Sequence, residues 1–200
     1  MGQRGAGAAF MPSKFVFPGG AVDPCDLALP AAPPPPRGEI ERLAVDAPEP
    51  VARALPLTAV RELWEETGLR LGRADPDAPA RAAAAPDAWR GFLAAGLAPR
   101  VDALRFVFRA VTPPGRPRRF DARFFLAEAE TLADDTERLS GDAELGALQW
   151  IGLAEARSQP RPIITGVVLA EIEALLAAPG RPRAVPYFSH DAAGSHFRLL

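Results

Sequence analysis

The sequence predicts an α/β domain built in layers, and three observations carry that prediction. Short apolar stretches of strand character recur at residues 14–17, 103–112, 122–129 and 147–153. Stretches with apolar residues at helical spacing stand before, between and after them, at 54–67, 87–97 and 163–178. Such a mixture buries its apolar faces by stacking helices on a sheet. Third, no internal repeat interrupts the pattern, and no apolar run reaches the length that spans a bilayer.

Taken in order, KFVF at 14–17 is a short strand ending at the turn of Pro18, Gly19 and Gly20. Residues 27–53 hold AAPPPPRG, whose prolines lack N–H donors and favour the extended polyproline conformation. The segment reads as a surface excursion with one short helix near 38–44 and no strand of the central sheet. Its length is tolerated because closure entropy grows slowly as a loop lengthens. From 54 to 67, Leu55, Ala59, Leu63 and Trp64 recur at helical spacing, and Gly68 supplies a stop that can turn left-handed. LRLGRADPDAPARAAAAPDAW then mixes a short strand with a linker punctuated by proline. DAWRGFLAAGL at 87–97 is an amphipathic helix ended by Gly96 and Pro99. ALRFVFRAVT, ARFFLAEA and ALQWIGL are strands, the last followed by a turn and a short helix over LAEARS. Residues 163–178 carry an apolar stripe of Ile164, Val168, Ile172, Leu175 and Leu176. RAVPYFSH at 183–190 is a final short strand.

Two hundred residues, 48% hydrophobic and 24% charged, suit a single domain over 1–200 with a sizeable core. A net charge of -2 gives no electrostatic reason to expect nucleic acid or an anionic membrane as partner. Cys25 is the sole cysteine, so no disulfide closes within the chain, and a reducing, cytoplasmic setting fits. Oligomeric state leaves no mark in the composition.

RELWEETGL at 61–69 places Glu62, Glu65 and Glu66 within five positions. On a helix these stand at i, i+3 and i+4 and share one face. Like charges at that spacing repel by roughly a few tenths of a kcal/mol per pair, and nothing within the helix repays it. A divalent cation does, and magnesium prefers oxygen ligands. Spacing alone leaves two readings open, a metal site and a solvated acidic face flanked by Arg61 and Arg70.

The order of residues adds to the spacing. Arg61, Glu62, Leu63, Glu65, Glu66, Gly68 and Leu69 meet every fixed position of a pattern that resembles the C-terminal half of the Nudix box, the signature of Nudix hydrolases. The first half of that box is a Gly, five residues, an acid, and seven residues before the Arg. Counting back from Arg61 meets Ala47 and Arg53, so the contiguous box fails. Upstream, FVFPGGAVDPCD at 15–26 offers Gly20, five residues and Asp26, an acid where the family usually has Glu. The box is therefore read as split by the Pro-rich insertion at 27–53. A split box, together with TPPGRPRRFDARFFLA at 112–127, resembles the branch of peroxisomal acyl-coenzyme A diphosphatases and their bacterial relatives.

The resemblance implies a Nudix α/β/α sandwich with a mixed central sheet. Nudix domains carry a strand ahead of the Gly-Gly turn, and this chain is expected to start at its end or just past it. Two alternatives stand open: a misassigned start site, or a sheet lacking its first N-terminal strand. The resemblance also implies Mg2+ or Mn2+ as cofactor, with Glu62 and Glu66 as principal metal ligands and Glu65 as a further ligand or the base for water. Arg61 is then an orienting partner for a carboxylate, or simply an ion pair on its own helix. Gly19 and Gly20 are read as allowing close backbone approach to metal or phosphate. Asp26 is read mainly as a local structural partner and Cys25 as a half-buried thiol. Glu144 is a candidate accessory acid or an exposed loop acid. Arg118 and Arg119 are candidates for a substrate phosphate or solvated loop residues. His190 and His196 stand too far apart to read as a catalytic pair. Phe124, Phe125 and Trp150 are expected in the core rather than stacked on adenine, and Trp64 beneath the helix.

The implied reaction is hydrolysis of a pyrophosphate in a small-molecule nucleotide. Coenzyme A or an acyl-CoA is the first expected substrate, yielding 3′,5′-ADP and the (acyl-)4′-phosphopantetheine portion. ADP-ribose or an NADH-type dinucleotide comes second. A non-catalytic Nudix-fold binding module comes third, because such modules often lose box carboxylates and this chain keeps all three.

Overall fold

A computed structural model of the chain describes residues 1–8, 11–29, 35–137, 139–141, 145–180, 183–191 and 194–200. In chain order its elements are β1 (Gly2–Arg4), β2 (Phe15–Val16), α1 (Pro24–Ala28), α2 (Arg37–Leu43), α3 (Glu49–Thr67), β3 (Gly72–Ala74), α4 (Ala78–Ala82), α5 (Asp87–Ala94), β4 (Leu97–Pro99), β5 (Arg105–Val111), β6 (Asp121–Leu126), β7 (Leu145–Gly146), α6 (Leu153–Ser158), α7 (Ile163–Ala177), β8 (Pro186–Asp191) and β9 (Gly194–Leu199). Among the described residues the strands form sheets ordered β2-β1-β7, β3-β4 and β6-β5-β8-β9. The last is mixed: β5 runs antiparallel to β6 and parallel to β8, and β8 runs antiparallel to β9.

Strand β5 is buried over most of its length because helices cover both of its faces. A shift of register between Phe106 and Phe108 makes this possible. Phe106 stands opposite Phe125 and Phe108 opposite Phe124, so the two pairs point to opposite faces. Phe108 and Ala110 pack with Val168 of α7, whereas Phe106 packs with Leu43 of α2 and Ala52 of α3. The result is the expected α/β/α layering around a mixed sheet. A second core lies between α3 and α5, where Leu57 and Val60 meet Trp89, Phe92 and Leu93. Burying each of these side chains contributes about 1.5–3 kcal/mol. Trp64 caps this cluster edge-on to Phe92, with ring centroids 5.5 Å apart, which is the place expected of it.

The structure departs from the sequence reading in several elements. The linker expected after residue 74 contains α4, whose Ala78 and Ala82 are buried against the α3–α5 core. Helix α3 begins at Glu49 rather than at 54, and it runs through Pro56. Packing of Ala52 beneath Leu43 extends it past the position where the proline alone would start it. Residues 147–153 do not form a strand: β7 ends at Gly146, and Ala147 takes a φ of 45°, which interrupts the ladder. Trp150 is 58% exposed, so it is not the core residue expected, whereas Phe124 and Phe125 are half-buried in the two sheet clusters. Leu176 falls off the buried stripe of α7 and is exposed. Strand β9 was not foreseen, although Phe197 and Leu199 alternate with polar residues there.

The described residues of the segment 27–53 add no strand to any sheet. Part of it nevertheless belongs to the core rather than to a surface excursion. Leu43 is 1% exposed. Arg109 donates from Nη1 to the Val45 carbonyl at 2.6 Å, and Arg198 pairs with Asp46. At the start of the chain, Gly2–Arg4 form the middle strand of the three-stranded sheet. Among the described residues no helix is long and apolar enough to cross a membrane.

Candidate active site

Helix α3 carries the three glutamates on its last turns and stops at Gly68, whose φ of 76° is the left-handed conformation that closes a helix at low cost to glycine. A Cβ at Gly68 would also lie 2.1 Å from Ser140 Oγ, so the loop at 139–141 approaches the stop closely. The turn at residues 19–20 comes to the same face of α3. Gly19 donates its N–H to Glu66 Oε2 at 2.7 Å. At Gly20 a Cβ would stand 2.4 Å from Glu62 Oε1, so only glycine leaves room for that carboxylate. The glycine turn and the RELWEETGL helix therefore meet in space, with Glu62 and Glu66 facing the turn.

Arg61 is the joint between the halves. Its side chain is 7% exposed, and each of its five N–H donors has an acceptor. Nε and Nη2 hold the two oxygens of Asp26 at 2.8 and 3.0 Å. Nη2 also reaches the Ala21 carbonyl at 3.1 Å. Nη1 bridges Glu62 Oε1 at 2.7 Å and Glu65 Oε2 at 2.6 Å. Asp26 is 1% exposed and accepts further bonds from Thr58 Oγ1 at 2.8 Å and the Asp23 N–H at 3.1 Å. Asp23 and Asp26 form a reciprocal capping box that starts α1, which fixes the shorter acid in place.

These surroundings drive the carboxylates apart electrostatically. Burial pushes Asp26 up, but hydrogen bonds from Arg61, Asp23 and Thr58 more than offset it and hold the group below the usual carboxylate range. Burial also pushes Glu62 up, and there Arg61 does not overcome it together with the like charges of Glu65 and Asp26. Cys25 is pushed up to about 12, first by burial and then by Asp23 and Asp26, so the thiol is unreactive at neutral pH.

Among the described residues no group of three or more His, Cys, Asp or Glu side chains is already gathered about a single point as metal ligands. The donor chemistry still fits a hard divalent cation. Glu62, Glu65 and Glu66 supply only oxygens, and the bonds from Arg61 use one oxygen each of Glu62 and Glu65. One arginine faces Asp26, Glu62 and Glu65 together, so negative charge remains in excess at the turn.

Other sequence candidates fall elsewhere. Arg118 and Arg119 are exposed in the connection between β5 and β6, where Arg119 Nε donates to the Thr112 carbonyl at 3.3 Å. Among the described residues no hydrogen bond or ion pair ties either to the glutamates. Glu144 lies outside the described residues. Sequence reasoning missed Thr58 and the clamp beyond Gly68. There Asp134 takes the Arg70 N–H at 2.6 Å and pairs with its guanidinium, and Ser140 N–H donates to the Thr67 carbonyl at 3.0 Å. Thr58 stands three residues before Arg61 on the same helix face, which is a signal the sequence did contain.

No family model matches the chain. It is 32% identical to the acyl-coenzyme A diphosphatase NUDT19 of Gallus gallus, over 77% of this chain and 53% of that protein. The chain thus spans about half the length of that curated relative. A solved structure, the crystal structure of a NUDIX hydrolase from Alicyclobacillus acidocaldarius, superposes with a TM-score of 0.59 at 34% identity. That match covers 89% of this chain and 82% of the other.

Proposed function

The chain belongs to the Nudix hydrolase superfamily, and from that premise we propose that it is a divalent-metal-dependent pyrophosphohydrolase of nucleotide derivatives. Nudix hydrolases act on phosphoric anhydride bonds and generally use divalent metals. The observation that carries the proposal is the bond from Gly19 N–H to Glu66, with Glu62 against Gly20, across an interrupted box.

In this reading Glu62 and Glu66 hold Mg2+ or Mn2+, and Glu65 completes the set or serves as the base. A bound cation would neutralise phosphate oxygens and lower the barrier to water attack. The chain's own groups do the rest. Arg61 holds Glu62 and Glu65 in place, because Asp26 and the Ala21 carbonyl occupy its remaining donors. Glu65, the more exposed of those two glutamates at 39%, is the better placed to take a proton from water. Water oxygen forms the new bond to one phosphorus, the bridging bond breaks, and two phosphate monoesters leave.

Coenzyme A or an acyl-CoA is the proposed substrate, supported by the likeness to an acyl-coenzyme A diphosphatase. Its products would be 3′,5′-ADP and (acyl-)4′-phosphopantetheine. A reducing cytoplasm is the proposed setting, consistent with one unreactive thiol. The test is a product screen over coenzyme A, acetyl-CoA, ADP-ribose and NADH, with magnesium, with manganese and with EDTA. Cleavage of the CoA species in a metal-dependent manner supports the reading. Turnover of ADP-ribose or NADH alone moves the substrate assignment to dinucleotides. No turnover of any of them leaves the binding-module reading in its place.

A further inference from the structure

Trp150 is the exposed tryptophan of this chain, and its position is explained by two separate constraints. The first is strand register. In the sheet β2-β1-β7, Gly2 pairs with Val16 and Gln3 with both Phe15 and Gly146. The pairing continues past Ala147: Met1 and Gln149 exchange backbone bonds, at 3.0 and 2.9 Å. Both outer strands run antiparallel to β1, so they leave the sheet at the same end. From β2 the chain runs on to Gly19 and Gly20, which meet the glutamates; from β7 it runs to Trp150. Two strand spacings separate the exits, on the order of 10 Å.

The second constraint is the clamp beyond α3. Trp150 Nε1 donates to the Thr136 carbonyl at 2.6 Å. Two residues earlier in that loop, Asp134 grips Arg70, and Ser140 follows with its bond to Thr67. The indole is thereby fixed to a loop that is itself fixed just past Glu66. The residue is 58% exposed although its one polar side-chain atom is satisfied. An aromatic face held rigid and left in water, on a loop clamped just past the end of the glutamate-bearing helix, suits the stacking of a flat heterocycle.

We propose that Trp150 is the platform on which the base of the nucleotide substrate stacks, adenine in the coenzyme A reading. The inference rests on the pyrophosphohydrolase reading for its substrate but not for its binding measurement. Trp64 is packed on Phe92 and Trp89 is fully buried, so base-dependent quenching of tryptophan fluorescence reports Trp150. The probes are 3′,5′-ADP, 5′-AMP and ribose 5-phosphate, titrated in EDTA against wild type, Trp150→Leu and Trp150→Phe. In wild type both adenine nucleotides quench saturably and ribose 5-phosphate does not. In Trp150→Leu the reporter itself is gone, so binding is read by KM, which rises about tenfold to a hundredfold for any cleaved nucleotide with kcat largely kept. Trp150→Phe recovers most of that KM, since its ring remains although the bond to Thr136 is lost. Unchanged KM in Trp150→Leu overturns the stacking role and leaves the hydrolase reading standing. Base-dependent quenching in a wild type that cleaves no diphosphate overturns the hydrolase reading and keeps the platform. Neither quenching nor cleavage overturns both.

Discussion

Arg61 and Asp26 lie on either side of the segment 27–53, and two hydrogen bonds of 2.8 and 3.0 Å join them in a site almost closed to water. Removing the carboxylate leaves a buried guanidinium without its main partner. Asp26→Ala should therefore lower stability by about 3–5 kcal/mol, the usual result of breaking a buried pair from one side. Urea unfolding measures it. A loss below roughly half a kcal/mol would mean that the pair does not hold the two halves of the box together.

Glu66→Gln keeps an oxygen that can accept the Gly19 N–H, so the fold should survive. It removes one of several crowded negative charges, so the metal-free protein should melt at the same temperature or slightly higher. Turnover should fall by roughly a thousandfold or more, as expected when several kcal/mol of transition-state stabilisation are lost. Melts with and without magnesium, beside a pyrophosphatase assay, check both halves. Equal activity in mutant and wild type at every magnesium level would remove RELWEETGL as the catalytic centre.

Gly20→Ala separates function from folding. The new methyl would meet the end of the Glu62 side chain, which can swing away, rather than backbone. Stability should change by about 1 kcal/mol or less. Metal affinity, read by calorimetry, should drop because Glu62 no longer rests where Gly20 allows it. Unaltered magnesium binding would count against Glu62 as a ligand.

Acid stability should show the clamp beyond α3. The Arg70 guanidinium holds Asp134 below its ordinary value, with partial burial working the other way. A depressed folded pKa contributes stability that is present above the unfolded value, about 3.9, and is lost as pH falls through the folded one. Wild type should lose melting temperature most steeply below about pH 4. Asp134→Asn should be less stable at neutral pH and should flatten that acid limb. Parallel slopes for the two proteins would show that the pair adds nothing to acid sensitivity.

The box helix, its glycine stop and the acidic face were legible in the sequence because each is a local pattern with a period of 3.6. So were β5, β6 and α7, whose apolar residues are dense and regular. Gly20 and Asp26 could be matched to each other by spacing, but their spacing to Arg61 fails, and only the fold could show that they meet it, since that contact spans residues 27–60. Leu43, read as part of a surface excursion, is core because α2 packs on β5 through Phe106, a contact between segments 63 positions apart by number (106 − 43). Trp150 was read as core from its chemistry and is exposed, because a left-handed Ala147 ends β7 and the indole nitrogen is satisfied by Thr136 instead. Local propensity acts over a few residues. Burial and register are settled by which distant surfaces exclude water together, and that depends on the whole chain.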